Sequence, residues 1–85
     1  MIKGDWNSIV GRRIVAIVVC QRTEHQPRVS IHLVFDDDSE FEVYCQMGDI
    51  AGSSYLRRGS LPEVISYFDE GSCLTVLADP AIPGA

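Results

Sequence analysis

Val29-Ser30-Ile31-His32-Leu33-Val34-Phe35, then Asp36-Asp37-Asp38-Ser39, then Glu40-Phe41-Glu42-Val43-Tyr44-Cys45 is the stretch that decides the fold. Apolar and polar residues alternate on either side of a turn-forming acidic cluster, the period of two that a half-buried strand requires. The reading is a β-hairpin. Val29, Ile31, Leu33, Phe35, Phe41, Val43 and Cys45 share the inward face, and Ser30, His32, Val34, Glu42 and Tyr44 share the other.

Toward the N-terminus, Ile14-Val15-Ala16-Ile17-Val18-Val19-Cys20 is an unbroken, mostly β-branched run, the pattern of a central strand covered on both faces. Asp5-Trp6-Asn7-Ser8-Ile9-Val10-Gly11 reads as a short helix, with Asp5 suited to the N-cap and Gly11 to a left-handed C-cap. Toward the C-terminus, residues 46–59 lose all periodicity and read as a long loop. Ser60-Leu61-Pro62-Glu63 has the form of a capping box, opening a helix to about residue 69 that buries Leu61, Val64, Ile65 and Phe68. Leu74-Thr75-Val76-Leu77-Ala78 is the last strand. The expected fold is α+β, a small antiparallel, strongly bent sheet or partial barrel of about four strands, with one short N-terminal helix and one helix before the last strand. Residues 1–79 make a single domain and 80–85 a proline-punctuated tail.

Composition agrees with a small globular domain: of 85 residues, 46% are hydrophobic and 22% charged. A chain of this mass is expected to expose about 5,000 Å² folded against about 13,600 Å² unfolded, near the lower limit for an independent fold. The net charge of −5 repels phosphate backbones, so nucleic acid is not an expected partner, and Arg12-Arg13 and Arg57-Arg58 read as solvated surface. Three widely spaced cysteines, Cys20, Cys45 and Cys73, make no disulfide framework and are expected as core residues of a cytoplasmic protein. The opening residues carry no apolar run, and no segment approaches the ~20 apolar residues of a membrane span, so neither signal peptide nor anchor is expected.

His32 and Cys45 fall on opposite faces of the hairpin, so a Cys–His pair fails on parity. The run Asp36-Asp37-Asp38-Ser39-Glu40 lacks the glycine and terminal glutamate of a calcium loop, and no zinc-ligand spacing occurs. Gly48-Asp49-Ile50-Ala51-Gly52 lacks the lysine of a phosphate loop. No cofactor, metal or catalytic residue is therefore assigned.

Apolar surface is in surplus. Both phases of the first strand are hydrophobic, and Val34 and Tyr44 are expected to join Val15, Ile17 and Val19 on a second face that one helix cannot cover. Val15, Ile17, Val19, His32, Val34, Glu42 and Tyr44 are accordingly the candidate interface or ligand face. The expected partner is a second copy of the chain, with a protein partner or a small apolar ligand as further occupants.

The short helix leading through Gly11-Arg12-Arg13-Ile14 into a strand, the Leu33 to Phe41 hairpin and the single capped helix resemble the short orphan proteins of bacterial mobile, integron-type gene cassettes. That resemblance implies a small bacterial domain and assigns no activity. The opening also resembles an Sm-like barrel, but the acidic balance and the helix before the last strand depart from that family, and RNA binding does not follow. The leading functional reading is a noncatalytic binding or interaction module, expected as a homodimer. Its alternatives are a small enzyme with a site where the 46–59 loop meets His32 and Tyr44, and an acidic inhibitor or immunity-type protein.

Overall fold

The computed structural model describes residues 5–22, 28–46, 49–53, 56–68 and 73–82. A 3-10 helix (Trp6–Ile9) leads into β1 (Ile14–Arg22), and the alternating segments form β2 (Arg28–Phe35) and β3 (Ser39–Gln46). β4 (Asp49–Ser53), β5 (Arg57–Arg58), α1 (Leu61–Ser66) and β6 (Cys73–Ala78) follow. The sheet is antiparallel throughout, in the order β4-β3-β2-β1-β6, with β5 also pairing with β3. The α+β class and the order of its helices are those read from the sequence, and β1 is internal, between β2 and β6.

The strand count differs from expectation. Among the described residues there are six strands, because β4 and β5 lie in the stretch read as a loop. Gly52, Ser53 and the arginine pair have little intrinsic strand preference, and pairing with the free edge of β3 imposes their conformation. The sheet is open, its order ending at β4 and at β6.

The hairpin turn owes its shape to the acidic cluster. Asp38 N–H donates to the Phe35 carbonyl at 3.3 Å, and Asp38 itself adopts φ 59°, the left-handed conformation that Asp tolerates better than most residues. Asp37 accepts hydrogen bonds from the Ser39 amide at 3.2 Å and from the Ser39 hydroxyl, and pairs with Arg12 at 2.5 Å. Gly11, at φ 82°, provides the left-handed turn that ends the first helix.

Each face of the sheet has its own core. On one, Ala16, Val18 and Val34 pack against Leu61 and Val64 of α1, with Ile65, Phe68 and Ile82 around them. On the other, Phe35, Phe41 and Val43 are covered by Trp6, Ile9 and Leu56, and Trp6 meets Phe41 edge-on at 5.5 Å. Burying side chains of this size contributes roughly 1.5–3 kcal/mol each. The expected tail contributes too, since the turn at residues 79–82 seats Ile82 on the helix-side core.

α1 is shorter than expected. Tyr67 N–H donates to Val64 at 3.1 Å and Phe68 N–H to Ile65 at 3.3 Å, tightening the last turn into 3-10 form. This swings Tyr67 and Phe68 over the sheet rather than continuing the helix, and both reach the ring of His32.

Candidate functional site

β2 and β3 bring His32 opposite Glu42 and Val34 opposite Glu40, which places His32, Glu40 and Glu42 on the helix-covered face. β5 then lays Arg57 directly across from Glu40. The result is a buried polar cluster in an otherwise apolar layer.

Glu40 is fully buried. One carboxylate oxygen accepts from His32 Nδ1 at 2.9 Å and the other from Arg57 Nε. Burial pushes its carboxyl up, but the bonds from His32 and Arg57, with their charges, outweigh that and hold it below the usual carboxylate range. Arg57 is reciprocally held above its ordinary value: burial works against the charge, and the Glu40 bond and carboxylate overcome it. An ionised Glu40 can only accept, so Nδ1 of His32 carries a proton. In the neutral ring, Nε2 is then an acceptor.

His32 Nε2 is buried without a hydrogen-bond partner and lies 3.6 Å from Glu42 Oε2, with the side chain only 3% exposed. The residue itself is one of those lining a pocket of about 400 Å³, with Glu42, Arg57, Tyr67 and Phe68. Phe68 packs edge-on against the imidazole at 5.2 Å, and the Arg57 guanidinium lies 5.4 Å from the Tyr67 ring centroid. A carboxylate bonded to one ring nitrogen is the arrangement that fixes a histidine tautomer and orients the second nitrogen.

A larger groove of about 540 Å³ runs between the N-terminus of α1 and the 79–82 turn, walled by Val15, Val34, Leu61 and Ile82. At its rim Arg13 and Asp79 face each other at 3.6 Å. It contains no buried polar atom in want of a partner among the described residues.

The candidate face read from the sequence is divided between the two sides of the sheet. Ala16 pairs with Val34 and Val18 with His32, whereas Ile17 pairs with Leu33 and Val19 with Ile31. His32, Val34, Glu42 and Tyr44 therefore share the helix-covered face with Ala16 and Val18, and Ile17 and Val19 lie on the opposite face. The expected grouping is off by one residue. Alternation within each strand cannot reveal the offset between strands, which here also contains a register shift between Ile14 and Ala16. Val15, beside that shift, packs toward the helix-side core. Val34 is itself buried, and Tyr44 pairs with Ser30 and Gly52.

The cysteines divide as well. Cys20 is buried as expected, but Cys73 is exposed because β6 is an edge strand. The side chain of Cys45 lies outside the described residues.

Glu40, Arg57, Tyr67 and Phe68 were not singled out as site residues by the sequence. Glu40 had a legible signal: it continues the Glu42, Tyr44 phase and so falls on the face of His32. Arg57 comes from the 46–59 stretch, but its pairing with β3 has no local signature. No protein-family model, curated protein or solved structure matches this chain.

Proposed function

We propose that the protein is a noncatalytic binding module whose site is the His32 pocket, and that its ligand is a small organic cation bearing N–H donors, an alkylammonium or alkylguanidinium group. The observation that carries this reading is His32 Nε2, a buried nitrogen without a hydrogen-bond partner in a residue that lines the pocket, and an acceptor when the imidazole is neutral. A buried acceptor left unsatisfied costs about 1–3 kcal/mol, which a donor from a ligand recovers. Charge selects the donor's sign. The lining of the pocket includes the carboxylate of Glu42, and a carboxylate favours a donor group of positive charge. The Glu42 carboxylate, 3.6 Å from Nε2, offers a second acceptor to the same donor group, and the rings of Tyr67 and Phe68 favour a cation with an apolar tail.

The test is a titration of nitrogen-labelled protein with ethylguanidinium chloride, read at the imidazole nitrogens. A saturable shift at His32 Nε2, lost in Glu42→Gln, is expected. No saturable shift, or the same shift from sodium chloride at equal ionic strength, refutes the proposal.

The Glu40–His32 pair supports a second reading, because a carboxylate-oriented imidazole is also the form of a general base. Hydrolysis of an activated ester above background, abolished by His32→Gln and unaffected by ethylguanidinium, would favour the enzyme over the binding module.

A further inference from the structure

The two edges of the sheet are built differently. At one, β4 carries Asp49 and Gly52 and a register shift opposite Tyr44 and Cys45, and β5 is two exposed arginines. Charge, glycine and irregularity are the devices that keep a strand edge from pairing with another chain. At the other edge, Cys73-Leu74-Thr75-Val76-Leu77-Ala78 contains no charge and no proline, and its register with β1 is unbroken. Val76 is 40% exposed and Leu77 59% exposed, on opposite faces of this strand.

The hydrogen-bond phase of β6 shows which groups point outward. Asp79 N–H donates to the Val15 carbonyl at 2.9 Å, so in the continuous antiparallel register Leu77, Thr75 and Cys73 also turn their backbone groups toward β1. Leu74, Val76 and Ala78 therefore direct theirs away from the sheet. These groups can be satisfied in full only by water or by another strand.

The geometry points to a two-fold dimer in which β6 pairs antiparallel with β6 of a second copy, centred on Val76, so that one sheet runs through both subunits. In this register Val76 faces the partner's Val76, Leu74 faces the partner's Ala78, and Leu77 faces the partner's Thr75. Each exposed apolar side chain gains a neighbour on its own face. Asp79 falls opposite the partner's Cys73, so no like charges are opposed.

Sedimentation equilibrium at micromolar concentration, with two variants, tests the dimer. Val76→Lys sets two like charges at the two-fold axis while leaving the β1–β6 bonds intact, and it is expected to give a monomer with an unchanged circular dichroism spectrum. Val76→Cys in a Cys73→Ser background is expected to cross-link covalently under mild oxidation, because hydrogen-bonded antiparallel partners stand about 5.5 Å apart at Cα, within disulfide reach. A wild-type protein that stays monomeric overturns the inference. So does a dimer that persists in Val76→Lys and does not cross-link through Val76→Cys. Should the lysine variant fail to fold, the cross-link decides alone.

Discussion

Gly59 and Glu40 are packed so closely that a β-carbon at position 59 would lie 2.8 Å from Glu40 Cγ and 3.2 Å from the Tyr67 hydroxyl. The glycine is needed here for room: its backbone amide is anchored to the Asp38 carbonyl at 2.8 Å, which holds the chain against the Glu40 side chain.

Gly59→Ala is therefore expected to displace Glu40 from His32 and Arg57 and to cost about 1–3 kcal/mol, as overpacking of a close-packed interior does. Chemical denaturation measures the loss, and the His32 Nδ1 proton resonance reports the displacement. Wild-type stability with an unshifted resonance would show that the site has slack the distances do not reveal.

Acid should weaken the fold through Glu40. The free carboxyl titrates near 4.5 and the folded one lower, so the unfolded chain takes up the proton first as pH falls. The stabilisation is complete above the unfolded value and is lost as pH drops through the folded value. Glu40→Gln should flatten this acid limb and cost about 1–3 kcal/mol at neutral pH, since Arg57 and His32 lose their charged acceptor. Denaturation midpoints across the acid range check the slope. An equally steep limb in the variant would assign the acid sensitivity to other carboxylates.

Ser60 is the N-cap of α1 in backbone geometry, but its hydroxyl donates to Glu63 Oε1 at 3.1 Å and makes no bond to a helix amide. Ser60→Ala should consequently fall at the low end of cap substitutions, about 0.5 kcal/mol, in a thermal melt. A loss several times larger would mean that the hydroxyl caps the helix in solution.

How much of this was legible in the sequence follows from the range of each interaction. The alternation around Asp36-Asp37-Asp38 gave both hairpin strands and their faces, because turn chemistry and period are local. The Ser60-Leu61-Pro62 start of α1 was equally local. Strand β5 was not, since only the ladder to Glu40 makes Arg57-Arg58 a strand. The division of the candidate face failed for the same reason: the phase of Val34 relative to Ile17 is set by pairing across the connector between β1 and β2. Glu40 was legible by parity alone, but its surroundings depend on Arg57 and Gly59, which the pairing of β5 with β3 brings beside it.

The pairing of β1 with β6 has a consequence for the order of folding. β1 obtains one neighbour from β2, immediately after it in sequence, and the other from β6, the last strand among the described residues. Closing so long a loop carries an entropic cost that the compact β1-β2-β3 meander does not, so the meander can assemble first and β6 docks afterward. Until that strand arrives, on the ribosome as in refolding, the apolar run of β1 is itself the open edge of the nascent sheet.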